Sequence, residues 1–248
     1  MIVKLLSYNI RFGGRKRESL LAEVIRAVEP DLVVFQEAID LGVISRLAEA
    51  TAMPHWAARD EHSIGYISRL RVGHHEWHHP AGAKHSFLEI VLEGSQSRIF
   101  GLHLSSMFSK WAERKRVREI QALLRSIEKH QHGFHVLVGD FNTLAVGEAL
   151  DVRRMPAWIR AMVWMSGRDI QRETIKTLAA ADYLDGYRTL HPEDRGYTFP
   201  VWDPHLRLDY VFLPSAFAER LRSCEVVTEV PVGAPASDHF PLLIELEI

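Results

Sequence analysis

The sequence predicts an α/β protein built on two β-sheets rather than on one doubly wound sheet. Three observations carry this reading. Apolar, β-forming runs recur along the whole chain, and helical stripes separate only some of them. The neighbouring runs at 86–92 and 99–104 are close enough to pair as an antiparallel hairpin, which an all-parallel sheet does not contain.

The strand-like runs are residues 2–8, 32–35, 63–68, 86–92, 99–104, 135–138, 208–213, 224–230 and 242–246. Each is a short apolar stretch bounded by turn formers or polar residues. Between the first two, Leu20, Leu21, Val24, Ile25 and Val28 form a helical stripe that stops before Pro30, so residues 18–28 predict a helix. Residues 41–50 and 111–129 read the same way, the second with a strongly charged outer face, "ERKRVRE". Residues 145–204 are the least regular, with Trp158, Trp164, Tyr197, Phe199 and Trp202 among polar, Pro and Gly positions; they predict helices and loops inserted between strands. No internal repeat, linker or low-complexity segment interrupts the chain, and residues 1–248 read as one domain.

Composition excludes some classes. With 248 residues and 47% hydrophobic side chains, the chain can bury a sizeable core and does not read as disordered. A formal charge of -2 gives no global basic field, so a polyanionic ligand would need local patches or a metal. That charge neither proposes nor excludes nucleic acid. Cys224 is the single cysteine, so no intrachain disulfide or CxxC-type zinc cluster forms, and a reducing compartment fits best. The hydrophobic stretch in "MIVKLLSYNI" is too short for a signal sequence, and no later run approaches ~18 apolar residues. The expectation is a soluble, cytoplasmic monomer that does not engage a membrane.

The informative feature is how the apolar strands end. Asn9 follows "LLSY", Glu37 follows "DLVVFQ", His103 follows "IFGL", and Asp140 and Asn142 follow "VLVG". Asp209 interrupts "LRLDYVFL", and Asp238-His239 precede "FPLLIEL". One such ending is ordinarily a turn residue. Six point to a shared site, because a sheet places its strand ends side by side. Acids, amides and imidazoles in convergence suit a hard divalent cation together with a phosphate. A phosphodiester repels nucleophiles, so its hydrolysis needs charge neutralisation, an activated water and a stabilised leaving oxygen. Carboxylate and amide oxygens suit Mg²⁺ or Mn²⁺, and the lack of paired thiols or of an HExxH motif argues against zinc in this site.

In order, "SYNIR", "VVFQEA", "GLHLSS", "VGDFNT", "LRLDYVF" and "SDHFPLL" span nearly the whole chain. Together they resemble the endonuclease/exonuclease/phosphatase superfamily, which includes exonuclease III-like enzymes, deoxyribonuclease I and neutral sphingomyelinases. The resemblance implies a four-layer α/β sandwich, two mixed β-sheets packed face to face with helices outside. It implies Glu37 as the principal metal ligand, with Asn9 beside it and Asp238 contributing directly or through water. His239 would contact the scissile phosphate as the acid/base group, with Asp209 hydrogen-bonded to its imidazole. Asp140 would orient or deprotonate the attacking water, Asn142 would hold a phosphate oxygen or that water, and His103 would donate to a nonbridging oxygen. The abasic-site nucleases carry a "Y-x-P-N"-like stretch where this chain reads "GLHLSSMFSKWAERKR". The His-containing form resembles the deoxyribonuclease, sphingomyelinase and general phosphodiesterase branches instead. The implied activity is metal-dependent hydrolysis of nucleic acid, with DNA the expected substrate and a small or lipid phosphoester the alternative.

Candidates for substrate contact lie outside these motifs. Arg15, Lys16 and Arg17 directly follow the Asn9 strand end, and Arg15 and Arg17 are expected to meet a phosphate backbone. The cluster Lys110, Arg114, Lys115, Arg116 and Arg118 reads first as a solvated helix face. Trp202, in "FPVWDP" just before the Asp209 strand, is expected at the rim of the site, where it could stack on a base. The run "HHEWHHP" (His74, His75, His78, His79) could bind a transition metal, but its mixed spacing on a strand and turn reads as solvated surface.

Overall fold

In the computed structural model, which describes residues 1–148, 151–165, 172–229 and 236–248, two mixed six-stranded sheets stack face to face. The first sheet contains β1 (Ile2–Asn9), β2 (Leu32–Gln36), β3 (His55–Ala57) and β4 (Ile64–Ser68). The second contains β5 (Val72–His78), β6 (Phe87–Leu92), β7 (Arg98–His103), β8 (His135–Asp140), β9 (Tyr183–Asp185) and β10 (Asp209–Pro214). The chain then returns to the first sheet through β11 (Leu221–Val226) and β12 (Leu242–Glu247). The strand orders are β11-β12-β1-β2-β4-β3 and β5-β6-β7-β8-β10-β9.

Each sheet holds one parallel pair, β1 with β2 and β7 with β8, and all its other pairs are antiparallel. The two parallel pairs are joined by α1 (Glu18–Val28) and α3 (Lys110–Ser126), because parallel neighbours need a long crossover. Further helices are α2 (Leu41–Ala50), α4 (Ala157–Met165), α5 (Glu173–Ala180) and α6 (Gly186–Leu190). Side chains alternate across a strand, and here both faces are covered. Leu5, Val34, Leu88, Ile90, Val136, Val138, Val211 and Ile244 fill the space between the sheets. Leu6, Tyr8, Val33 and Phe35 face α1 and α2 on one outer side. Phe100, Leu137, Phe141, Tyr210 and Phe212 face α3 and α5 on the other.

This is the four-layer arrangement that the sequence resemblance implied, and the 86–104 hairpin is antiparallel. Four elements depart from expectation. The 111–129 helix ends at Ser126 and tightens into a 3-10 turn, Glu128–His130. The expected strand at 224–230 is Leu221–Val226, and its last expected residue, Val230, lies outside the described residues, as do 149–150 and 166–171 of the irregular segment. The short strands β3 and β9 carry too few apolar residues to signal themselves. Among the described residues no helix is long and apolar enough to cross a membrane.

Strand direction explains why the polar ends meet. β1 and β2 run in parallel, so Asn9 and the residue after Gln36 finish together. β7 and β8 do the same with His103 and Asp140 in register, while β10 runs against β8 and brings its first residue, Asp209, opposite Asp140. β12 runs against β1, so the segment just before it, carrying Asp238 and His239, arrives at the same end.

Candidate active site

The strand ends open into a cleft of about 540 Å³, lined among others by Glu37, His103, Asp140, Asn142, Asp238 and His239. Two backbone features set its floor. Gly139 has φ +145°, and a Cβ there would lie 2.0 Å from the Leu102 carbonyl oxygen, so any side chain would push β7 and β8 apart beside Asp140. Glu37 and Asn142 stand in the left-handed region, with φ of 56° and 52°. Such residues cost on the order of 1 kcal/mol and persist where the surroundings hold them. At Glu37 the carbonyl accepts the N–H groups of Gly13 and Ile39. At Asn142 the backbone N–H donates to Asp140 Oδ1 at 2.8 Å.

Asn9 joins the two sheets. Its amide nitrogen donates to Glu37 Oε1 at 3.3 Å and to Asp140 Oδ2 at 3.0 Å, and its oxygen accepts the Arg11 N–H at 2.9 Å. Asn9 thus bridges the two carboxylates through its nitrogen, while its oxygen, with one N–H bound, keeps a second lone pair beside Glu37. Glu37 Oε2 accepts the Phe12 N–H at 2.6 Å, and Asp238 Oδ2 lies 3.2 Å from Arg11 Nε. Glu37 and Asp238 are hard oxygen donors lining the same cleft, and the lone thiol, Cys224, is buried in the core between the sheets. This donor set fits a Mg²⁺- or Mn²⁺-type ion rather than a thiophilic one.

Facing them, His239 Nδ1 donates to Asp209 Oδ2 at 2.8 Å, both residues being buried, and the imidazole packs on Phe199 at 4.8 Å between ring centroids. Burial alone would lower the His239 pKa, but the charge and hydrogen bond of Asp209, followed by Asp140 and Asp238, raise it. Asp140 is shifted up, first by burial and then by Asp209; His239 and the Asn142 and Asn9 donors act against that shift. Asn142 completes the group, its amide donating to Asp140 Oδ2 at 3.0 Å and to the Leu104 carbonyl at 3.1 Å. His103 Nε2 sits 3.9 Å from Asp140 Oδ2, and its buried Nδ1 has no hydrogen-bond partner. Burial, then His85, His239 and Lys84, push its pKa down to about 3, so His103 is a neutral imidazole.

Of the eight residues expected from strand endings, six line the cleft, and Asn9 and Asp209 lie behind it, hydrogen-bonded to Glu37 and Asp140 and to His239 respectively. The three expected substrate contacts fare differently. Arg17 is corrected: its guanidinium folds back to donate to the carbonyls of Ile10, Arg11 and Ala236, which fastens the loop after β1 to the segment before β12. Arg15 is exposed and paired with Asp40. Trp202 is 63% exposed and meets Phe199, which lines the cleft, edge-on, without lining the cleft itself. Arg116, read with a solvated basic face, is instead fully buried. Lys84 and His85 were not anticipated. They enter the cleft from the turn between β5 and β6, and the His85 ring stacks on His103 at 4.9 Å and 5°. No apolar strand precedes them, so the ending pattern could not find them.

Comparison with known proteins matches the chain to one family. A model of the endonuclease/exonuclease/phosphatase family matches residues 6–239. A structure of a 3' phosphatase from Neisseria bound to product DNA hairpin aligns with a TM-score of 0.73 at 18% identity, covering 99% of this chain and 100% of that one. An AP endonuclease from Archaeoglobus fulgidus aligns with a TM-score of 0.71 at 15% identity, covering 99% and 100%. D. rerio TDP2 complexed with single strand DNA product aligns at 0.68 and 16%, covering 100% and 99%. At these identities the likeness is one of fold.

Proposed function

The chain belongs to the endonuclease/exonuclease/phosphatase family and is a phosphoric ester hydrolase, and from that premise we propose that it cleaves nucleic acid, DNA in particular, with Mg²⁺ or Mn²⁺. The observation that carries this reading is the hydrogen-bonded chain Glu37–Asn9–Asp140, facing the Asp209–His239 pair across one cleft. Both sheets contribute: Asn9 ends β1 and Glu37 follows β2 in the first sheet, Asp238 and His239 lead into its β12, and Asp140 and Asp209 stand on the second. Metal-binding and acid/base groups thus converge on one cleft, as phosphoryl displacement with a divalent ion requires. Glu37 and Asp238 would hold the divalent ion, which supplies charge neutralisation at the phosphate.

The protein groups divide the remaining work. Asp140 is fixed by three donors and serves as an oriented acceptor for the attacking water. His239, with its Nδ1–H committed to Asp209, presents Nε2 to exchange a proton with a reacting oxygen. Asn142, neutral His103 and Lys84 face the nonbridging oxygens. The neighbouring structures, a 3' phosphatase bound to product DNA hairpin and TDP2 complexed with single strand DNA product, support nucleic acid as the substrate class. A second reading, a phosphoester with an apolar group, is favoured by Phe12, Ile39, Met107, Phe108, Trp158 and Ile159 lining the same cleft.

The deciding experiment offers end-labelled single- and double-stranded DNA and a set of lipid and small phosphodiesters, each with Mg²⁺, Mn²⁺ or EDTA. We expect metal-dependent cleavage of DNA that EDTA abolishes. Turnover of the small or lipid esters with DNA left intact would establish the second reading in its place.

A further inference from the structure

Away from the cleft, the residues of the "HHEWHHP" run come together with one acid of the next strand. His74, Glu76 and His78 alternate along β5, which puts their side chains on one face of the sheet, and Glu76 pairs in register with Glu89 of β6. Leu88 and Ile90 point into the core between the sheets, so Glu89 and its partners occupy the outer face, at the edge strand. One ligand atom from each of His74, Glu76 and Glu89 lies within 4.8 Å of the others. His78 Nε2 is 2.7 Å from Glu89 Oε2 and 4.0 Å from Glu76 Oε2, and His74 Nε2 is 3.7 Å from Glu76 Oε2.

From this geometry we propose that His74, Glu76, His78 and Glu89 form a binding site for a tetrahedral transition-metal ion of the Zn²⁺ type, separate from the catalytic cleft. Two imidazoles and two carboxylates are a donor set that zinc accepts at about 2.0–2.2 Å, which separates tetrahedral ligand atoms by about 3.3 Å. The separations among His74, Glu76 and Glu89, and from His78 to the two carboxylates, bracket that value, and His74 and His78 would approach the ion from either side of Glu76 by side-chain rotation. Glu89 is already prepared for the role. Its side chain is 4% exposed, and Arg98 holds Oε1, leaving Oε2 directed at His78. An arginine behind a ligating carboxylate is the kind of outer support that fixes a ligand's orientation. At Glu89 Oε2 the ion would take the place of the hydrogen bond that His78 Nε2 makes there, and since only neutral imidazole and ionised carboxylate ligate, protons compete with the ion at low pH.

The site has a structural consequence. β5 is an edge strand joined to the sheet only through β6, and the turn connecting the two carries Lys84 and His85 into the cleft. An ion held by three residues of β5 and one of β6 would fasten that hairpin at its outer face.

Cobalt(II) reports the coordination directly, since tetrahedral Co²⁺ absorbs far more strongly in the visible than octahedral Co²⁺. Co²⁺ is titrated into the protein with Mg²⁺ in excess to fill the cleft, and Zn²⁺ is then added as competitor. We expect a tetrahedral spectrum at one equivalent, bleached by Zn²⁺, together with a Zn²⁺-dependent rise in melting temperature. In H74A and in E76Q, both exposed positions whose loss leaves the fold intact, the spectrum and the melting shift should be lost, with Mg²⁺-dependent hydrolysis unchanged. A tetrahedral signal that survives in both variants would move the ion elsewhere, and an octahedral spectrum or no binding in the unmodified protein would overturn the site.

Discussion

At the scale of single residues, the Asp209–His239 pair makes the sharpest claim. Asp209 is buried and only one of its oxygens, Oδ2, is engaged, so its function is invested in a single hydrogen bond to the imidazole. Asp209→Asn keeps the volume and removes the charge that stabilises the imidazolium. We expect a loss of about 10²–10⁴-fold in kcat, the range of general acid–base catalysis, with the circular dichroism spectrum unchanged. His239→Ala should lose at least as much, and the double variant no more than His239→Ala alone, because two residues acting as one unit do not add. Losses that multiply in the double variant would separate Asp209 from the imidazole. The residues that sequence revealed share a trait: Asn9, Glu37, His103, Asp140, Asp209 and His239 each break an apolar run, a local signal of a group held at a strand end. Lys84 and His85 sit in a turn where polar residues are ordinary. Arg17 shows the converse, since a basic triplet does not reveal which guanidinium turns back to cap carbonyls.

At the scale of elements, the long crossovers and core strands were legible because 3.6- and 2-residue periodicities are written in apolar residues. β3 and β9, three residues each, and the edge strand β5, with its exposed histidines, were harder to read, since pairing with a neighbour rather than burial defines them. Helix α3 illustrates what periodicity conceals. Arg116 and Glu113 lie in its charged stretch yet are buried, and they tie the helix to both loops that flank the cleft. Arg116 donates to the carbonyls of Ser105 and Met107, while Glu113 accepts from Arg116, the Thr143 hydroxyl and the Thr174 N–H. Arg116→Met would leave the Glu113 charge buried beside neutral donors only, and removing one partner of a buried pair typically costs about 3–5 kcal/mol. Urea denaturation should register that loss, and adding Glu113→Gln to the same chain should recover about 1 kcal/mol or more by removing the stranded charge. A loss below about 1 kcal/mol for Arg116→Met would mean the pair is replaceable by solvent and does not anchor the loops.

At the scale of the whole molecule, two sheets must close on each other before the cleft exists, and that closure buries histidines in their neutral form. His103 is held to about 3 and His85 to about 4, in both cases first by burial and then mainly by neighbouring positive charges, and His135 is lowered by burial against its hydrogen bond to the Gly133 carbonyl. The sign follows from linkage. A histidine whose folded pKa lies below its unfolded value near 6.5 contributes stability that is complete above that value. The contribution is lost as pH falls, because the unfolded chain binds the proton first. These histidines should therefore lower stability on acidification from about pH 6.5, His103 alone supplying a slope of up to about 1.4 kcal/mol per pH unit until its folded form also titrates. Asp140, raised to about 7 by burial, binds its proton first in the folded chain and offsets the slope of one such histidine between about pH 7 and 4. Glu89 adds a lower window: burial opposes its ionised form, but His78 and Arg98 outweigh burial and hold it at about 2, so its contribution fades between about pH 4.5 and 2. Urea midpoints measured in EDTA from pH 7 to 4 test the histidine part. His103→Gln, which puts a neutral amide donor of similar reach in place of the imidazole and cannot titrate, should flatten the decline relative to the unmodified protein. Coincident slopes would mean that His103 takes up its proton equally in both states, and the neutral donor assigned to it beside Asp140 would have to be given up.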